Sequence, residues 1–313
     1  MTDLKEKKTS GLSMKTTRLL FIISVLILPT IGFLVFFVYV NFDSILMAFQ
    51  QPDYSGVKMV ERFTLDNFRK IFNAGGADFK EVTLALRNTL LFFFADLLIV
   101  FPLSIVMSFF FFKKISGYKA FRFIYYLPTI ISSSVLVILF KYSIGTGGVY
   151  DAYRHHHGMG FYSLLSHEPD ALLTILFYNV MFAFGGNIIV IGGSMNGTSS
   201  EILEAGKIDG CGWMRELVSL IIPMMWPTIS TMLILRCASI LSASGPILAF
   251  TKGEKGTMTL SYLLYALVSG EGKTRDLYYA SAVGIMMTLV VFPIAMLIKH
   301  FIYSDKRDME VTL

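Results

Sequence analysis

Six long apolar runs constrain the fold of this chain more than any other feature of its sequence. They cover residues 19–40, 88–112, 121–143, 171–194, 226–250 and 278–302. A helix needs about 20 mostly apolar residues to cross a bilayer, and it must pair its own backbone polar groups because lipid offers them no partner. The runs lack the alternating pattern of a transmembrane barrel strand. We therefore predict an all-α integral membrane protein with six transmembrane helices.

The composition supports a membrane class. Apolar residues make up 54% of the chain and charged residues only 16%, whereas soluble domains carry about 25% charged residues. The basic residues flank apolar runs and form no single patch, so nucleic acid is not a predicted partner. Two cysteines exclude a disulfide framework, and the triplet His155 to His157 has no evident fourth ligand, so we predict no metal site.

Charge also predicts the topology. Six spans place both termini on one side of the membrane, and the segments on that side are denser in Lys and Arg, with four in residues 113–122. Positive charge close to the spans favours the cytoplasm. We therefore expect a cytoplasmic tail at 1–18, a first transmembrane helix with an extracellular segment at 19–87, a five-helix core at 88–302, and a cytoplasmic tail at 303–313. In the extracellular segment, the apolar spacing of FTLDNFRKIF predicts a short helix.

The cytoplasmic loop 195–225, which belongs to the core, contains a polar island with helix signals. The sequence TSSE at 198–201 fits a capping box that begins a helix, and the Asp-Gly pair at 209–210 can end it in a left-handed turn. A second short helix is predicted from Trp213 to a stop at Pro223. The first helix has an apolar face made of Ile202, Leu203, Ala205 and Ile208.

This loop either lies on the membrane surface or docks onto a protein. Interfacial helices usually have a polar face rich in Lys and Arg. The polar residues here are instead mostly acidic: Glu201, Glu204, Asp209 and Glu216 against Lys207 and Arg215. That balance favours a protein partner.

The stretch EAGKIDGCGWMRELVSLIIP resembles the EAA loop of the membrane subunits of binding-protein-dependent ABC importers. The motif positions are filled by Glu204, Ala205, Gly206, Gly210 and Pro223. Gly206 replaces the usual second Ala, a departure that we expect to make the helix more flexible. RNTLLFFF, FRFIYYLPTIISSSVLVILFKYSIGTGG and LAFTKGEKGTMTLSYLLY are also similar to segments of that family. The resemblance covers roughly residues 19–302 and is closest to the maltose-type, or carbohydrate, branch.

The resemblance implies a type I ABC importer permease, or MetI-like, fold that crosses the bacterial cell membrane several times. It implies four kinds of partner besides the lipid bilayer: a second homologous permease subunit, two cytoplasmic ATPase subunits, an extracellular solute-binding protein and a saccharide substrate. The loop would act as a coupling helix seated in a cleft of an ATPase. The coupling residues that it implies are Glu204, Ala205, Gly206, Asp209, Gly210, Trp213 and Pro223.

We predict no cofactor and no enzymatic activity in this chain itself. The segment GEGKT, Gly270 to Thr274, suggests a phosphate loop, but that pattern requires Gly at the position of Leu267. ATP and Mg would therefore be bound by the partner ATPase.

Polar residues inside the apolar runs are hypotheses for the substrate pathway, because charge is costly in lipid. The candidates are Asp96, Asn179, Asn187, Arg236 and Ser239. In maltose-type relatives, side chains of the fifth span contact sugar at three positions, matching Arg236, Ile240 and Ala243. Their spacing would put them on one helical face, but two of the three are apolar here, so the sugar-binding pattern does not carry over intact.

Two interpretations of Arg236 remain open. Its guanidinium suits an anionic group on a saccharide, or it pairs with Asp96 and only joins two helices. We expect import of carbohydrate, a neutral or acidic oligosaccharide. The loop motif is equally compatible with another cargo, such as glycerol phosphate or a peptide. An ion-coupled transporter or a membrane enzyme is the alternative from another class, and either would leave the loop 195–225 dispensable.

Overall fold

The computed structural model describes residues 14–53 and 60–310, and in these residues helices make up most of the regular structure. The helices are α1 (Met14–Gly32), α2 (Val40–Ala48), α3 (Asp66–Phe72), α4 (Ala77–Ala95), α5 (Phe101–Phe112), α6 (Tyr118–Ile130), α7 (Ser133–Ile144), α8 (Val149–His156), α9 (Asp170–Phe182), α10 (Phe184–Asn196), α11 (Ser200–Ile208), α12 (Trp213–Arg215), α13 (Ile222–Met224), α14 (Trp226–Ala238), α15 (Ile247–Phe250), α16 (Leu260–Ser269) and α17 (Leu277–Glu310).

Three π-helical stretches join helices end to end: Phe33–Tyr39 between α1 and α2, Asp96–Val100 between α4 and α5, and Glu216–Ile221 between α12 and α13. A single 3₁₀ turn, Ile240–Ser242, follows α14. Strands β1 (Gln50–Asp53) and β2 (Val60–Phe63) form an antiparallel pair in which Gln50 lies opposite Phe63. The short helix predicted in FTLDNFRKIF is confirmed as α3.

Four helical runs in the described residues are long and apolar enough to cross a membrane: Phe21–Ala48, Ala77–Phe112, Asp170–Asn196 and Leu277–His300. Two further pairs pass the same test but are sharply bent. Tyr118–Ile130 meets Ser133–His156 at 107°, and Trp213–Met224 meets Trp226–Ala238 at 76°. The number of spans by length and composition is therefore four, or up to six if each bent pair crosses once. The prediction of an apolar helical membrane protein agrees with this.

Two predicted span boundaries differ from the observed helices. The first helical run continues to Ala48 rather than ending at residue 40, and α4 begins at Ala77 rather than at residue 88. Residues 77–87 contain several charged side chains, so this part of α4 does not form an apolar run. It is helical nonetheless, because Lys, Glu and Arg are good helix formers. The predicted division at 87/88 therefore falls inside a helix and is not a break in the fold.

The predicted third span at 121–143 is wrong as a single helix, because α6 and α7 meet at the 107° bend. The predicted fifth span at 226–250 is also wrong as a single helix. Helix α14 ends at Ala238, and the chain then passes through the 3₁₀ turn to an extended residue at Ala243. Pro246 cannot donate a backbone hydrogen bond. A Cβ on Gly245 would lie 2.8 Å from Ile175 Cγ2 and 2.9 Å from Phe92 Cε1, so the backbone approaches the core too closely for a larger residue.

The RNTLLFFF segment ties α4 to the chain that leads into α16. Asn88 and Thr89 are buried. Asn88 Nδ2 donates to the carbonyls of Gly256 and Met258, both at 2.7 Å, and the amide of Leu260 donates to Thr89 Oγ1 at 2.9 Å. Buried polar groups need such partners, so this motif has a structural role, which is to join α4 to the segment before α16.

Candidate functional site

Helix α11 and the turn after it form the first part of the loop 195–225. The predicted start near residue 200 is confirmed, but the capping box is wrong. Ser199 caps α11 with an extended backbone and no side-chain hydrogen bond, and Thr198 Oγ1 donates to the Met195 carbonyl at 2.7 Å instead. The predicted glycine turn is confirmed: Gly210 has φ +72°, and the amide of Cys211 donates to the Gly206 carbonyl at 2.9 Å.

The inner side of α11 packs against the rest of the loop. Leu203 and Gly206 are buried. A Cβ on Gly206 would lie 2.6 Å from Leu220 Cδ1. Gly206 therefore allows a close approach between α11 and the following π-helical stretch, and it does so in a packed contact rather than in a loose helix. The Leu220 side chain occupies the space that the methyl group of the usual Ala would need.

The outer side of the loop is apolar and exposed. Ile208 is 87% exposed, and Trp213 and Met214 are each about half exposed. The predicted apolar face splits, since Leu203 turns inward while Ile202, Ala205 and Ile208 remain exposed. We call the exposed residues Ile202, Ala205, Ile208, Trp213 and Met214 the docking face.

A buried ion pair anchors the loop to the end of α5. Lys113 Nζ lies 2.6 Å from Glu216 Oε1, and the Glu216 side chain is only 5% exposed. From the sequence, Glu216 is one of the polar residues of the loop, and this contact with Lys113 is not predicted. Its apolar neighbours Leu217 and Ile221 pack with Phe109 and Met195 in one cluster. The loop is thus fastened to α5 and α10 by both charge and apolar contacts.

The second predicted helix of the loop does not stop at Pro223. The helical run Trp213–Met224 passes through it, and the chain bends by 76° after Met224. Pro lacks the N–H that an α-helix needs and crowds the preceding turn. The π-helical stretch Glu216–Ile221 ends two residues before Pro223, so its widened turn lies where it can relieve that conflict.

A polar cavity of about 210 Å³ lies among α4, α9, α14 and the broken segment after α14. Its lining residues are Phe92, Phe93, Asp96, Asn179, Ala183, Arg236, Ser239, Ser242, Ala243 and Ser244. The sequence candidates Asp96, Asn179, Arg236, Ser239 and Ala243 are therefore brought together. Ile240 does not line the cavity; it is buried and packs with Phe93 and Cys237.

Arg236 is held from three sides. Its guanidinium forms an ion pair with Asp96 and donates from Nη2 to Asn187 Oδ1 at 2.7 Å. The Phe101 ring centroid lies 4.8 Å from its Cζ. Among the described residues, its buried Nε has no hydrogen-bond partner. The structure shows Arg236 joined to Asp96 by an ion pair, as one of the two interpretations predicts. The same side chain lines the cavity, and its Nε has no partner among the described residues.

The backbone supports this site in two ways. Asp96 is the first residue of a π-helical stretch, and such bulges often occur at functional sites. Arg236 lies in the last turn of α14, where a cation is favoured by the helix dipole. The predicted single helical face of Arg236, Ile240 and Ala243 is wrong because α14 ends before the last two residues.

Comparisons with known proteins show that the chain is similar to permease subunits of bacterial ABC transporters. No family model matches. The chain is 25% identical over 286 residues to the probable ABC transporter permease protein YesP of Bacillus subtilis, which covers 89% of this chain and 90% of that protein. It is 25% identical over 272 residues to the multiple sugar-binding transport system permease protein MsmF of Streptococcus mutans, covering 85% of this chain and 89% of that protein.

A solved structure has the same fold. A chain from the crystal structure of a bacterial alginate ABC transporter, in complex with alginate pentasaccharide-bound periplasmic protein, matches with a TM-score of 0.75 and 23% identity, over 91% of this chain and 95% of that one. The chain therefore has the fold of an ABC importer permease. The predicted resemblance to the permease subunits of sugar ABC importers is confirmed, and the EAA loop stays a prediction.

Proposed function

We propose that this chain is one membrane subunit of an ATP-driven bacterial importer of carbohydrate. It lines the translocation pathway together with a second homologous permease subunit. An extracellular binding protein delivers the saccharide, and two cytoplasmic ATPase subunits power the cycle. The observation that carries this proposal is the docking face, a set of exposed apolar side chains on a loop that is otherwise firmly packed.

The docking face fits a protein partner because exposed apolar patches on a rigid support mark interaction sites. Trp and Met are enriched at such interfaces. The loop is fixed to α5 by the Lys113–Glu216 ion pair, so a push on the face is transmitted to the helices. This arrangement supports the assignment of ATP and Mg to a partner ATPase. It also supports a cytoplasmic location for the loop and for both termini.

The segment Gly270–Thr274 also supports the assignment of ATP binding to a partner ATPase. It forms a turn between α16 and α17 in which Gly270 and Gly272 have positive φ. Lys273 forms an ion pair with Glu81. That lysine is therefore engaged in holding the turn to α4, where a phosphate-binding lysine would instead be free to meet a nucleotide.

The cavity that Asp96 and Arg236 help to line is the substrate contact that we propose. Hydroxyl and amide groups from Asn179, Ser239, Ser242 and Ser244 suit the hydroxyl groups of a sugar. The ion pair leaves the cavity without net charge. Carbohydrate is also the cargo class named for MsmF and for the alginate transporter. An acidic sugar would have to compete with Asp96 for Arg236.

The docking proposal is tested by Ile208→Asp in the assembled transporter. Since Ile208 is 87% exposed, a charge there should leave folding intact and weaken ATPase binding. Ile115→Asp, an exposed Ile on the neighbouring segment at the same end, is the matched control. We expect loss of co-purifying ATPase and of uptake with Ile208→Asp alone. Equal ATPase retention by both variants would contradict the docking role.

The cargo is tested by uptake of neutral and acidic oligosaccharides by Arg236→Ala. Selective loss of acidic substrates would show that Arg236 recognises an anion. Equal loss of both would assign Arg236 to the ion pair with Asp96 and reject anion recognition.

A further inference from the structure

A second polar cavity, of about 230 Å³, lies where the ends of α5, α6 and α10 meet. We call it the basic cavity. It lies at the same end of the molecule as the docking loop, because Lys113, next to the lining residue Lys114, is bonded to Glu216 of that loop. The proposed function does not use this cavity.

The mouth of the basic cavity carries two cations and no carboxylate. Lys114 and Arg122 both line it. Within residues 14–53 and 60–310, neither side chain takes part in an ion pair. The Arg122 guanidinium lies 5.3 Å from the Tyr126 ring centroid, and its Nε donates to Tyr126 Oη at 3.3 Å. That contact holds Arg122 in place and leaves its terminal amino groups available to an anion.

The deeper part of the cavity has an unused hydroxyl and open space. Ser108 is 1% exposed, and its Oγ has no hydrogen-bond partner among the described residues. By contrast, Ser104 on the same helix bonds to the Val100 carbonyl at 2.6 Å. A Cβ added to Gly192 or Gly193 would meet nothing within 4 Å. A buried polar group beside an open volume indicates a ligand or water that satisfies it.

We propose that the basic cavity binds the headgroup of an anionic phospholipid. Its phosphate would lie between Lys114 and Arg122, and an acyl chain would follow the apolar wall that Phe111 and Ile189 provide. Ile189 is 54% exposed, so this wall opens out of the helical body. Basic pockets between membrane helices on the cytoplasmic side are suited to such headgroups. A soluble phosphate would pair with the two cations but would make no contact with the apolar wall.

The occupied cavity would brace the turn between α5 and α6. That turn contains Lys114 with φ 52° and Gly117 with φ 79°, a conformation that is costly for Lys. A phosphate bound to Lys114 would offset part of that cost. Because the adjacent Lys113 anchors the docking loop, the lipid would support the base on which the loop rests.

The experiment measures phosphatidylglycerol retained by the full chain in its purified assembly, using native mass spectrometry after exchange from mixed micelles. Removing one charge with Arg122→Gln should lower lipid affinity about fivefold, and adding Lys114→Gln should lower it about a further fivefold. Lys119→Gln is the matched control, because Lys119 is an exposed cation on the same helix and does not line the cavity. Gly193→Leu, which fills the open volume, should also displace the lipid.

Three outcomes would overturn the proposal. Equal affinity in Arg122→Gln and Lys119→Gln would show only a general attraction of positive charge to anionic lipid. Retention by Gly193→Leu, with the assembly intact on gel filtration, would place the lipid elsewhere. Displacement by inorganic phosphate at the concentration of the lipid would identify a soluble phosphate as the ligand. Phosphatidylcholine should show no dependence on either cation.

Discussion

Replacing Lys113 with Met should uncouple the docking loop from α5. The change keeps the length of the side chain and removes its charge, so Glu216 is left as a 5% exposed carboxylate without a partner. Breaking a buried pair costs about 3–5 kcal/mol. The Lys113 side chain is 26% exposed, so water screens part of the interaction, and we expect about 2 kcal/mol.

The assay compares ATP hydrolysis and saccharide uptake by the same reconstituted assembly. With the loop loosened, hydrolysis should continue while fewer molecules are transported per ATP. Lys119→Met is the matched control, since Lys119 is a nearby exposed cation outside any ion pair in the described residues. Lys113→Glu combined with Glu216→Lys should restore part of the lost transport. A Lys113→Met assembly with unchanged transport per ATP and unchanged thermal stability would refute the anchoring role of the pair.

Three further changes follow from the packing. Gly206→Ala adds a methyl 2.6 Å from Leu220 Cδ1, and overpacking of about 1–3 kcal/mol should exceed the gain in helix propensity of about 1 kcal/mol. Melting of the assembly checks this, and Gly206→Ala should cost less in a Leu220→Ala background. Asn88→Ala removes two 2.7 Å hydrogen bonds and should lower stability by about 2–3 kcal/mol, measured by thermal inactivation against Asn73→Ala on the surface. Asp96→Asn leaves Arg236 without its counter-ion. The single variant should therefore lose more uptake than the double variant Asp96→Asn, Arg236→Gln, and equal uptake by the two would show that the pair is not coupled.

The helical membrane class and the glycine turn of the loop 195–225 could be predicted because their signals are local. Apolar runs and glycine turns act over a few residues, and Gly210 does adopt the left-handed conformation expected of it. The start of α4 was missed because charged residues can occupy a helix that leaves the membrane. The break after α14 was missed because Ser239 and Ala243 lie in an apolar run, and it depends on Gly245 packing against Phe92 and Ile175.

The contacts between distant segments could not be predicted from the sequence. Glu216 resembles any surface carboxylate until α5 places Lys113 beside it. The cavity around Arg236 was predicted in part, since charge inside a span indicates function, but its shape comes from the end of α14. The Asp96 pair is one of two open interpretations, and it depends on the proximity of Asp96 and Arg236 in the fold, which the sequence does not show.

The measurement that tests the central proposal most directly is ATP-dependent uptake of a labelled oligosaccharide into proteoliposomes, by the native assembly and by Gly210→Pro. Gly210 has φ +72° and its amide donates to the Lys207 carbonyl at 3.1 Å, whereas Pro fixes φ near about −65° and has no N–H. We predict uptake that requires ATP and is lost in Gly210→Pro while the assembly stays intact. Uptake driven by an ion gradient without ATP, or uptake unaffected by Gly210→Pro, would contradict coupling through this loop.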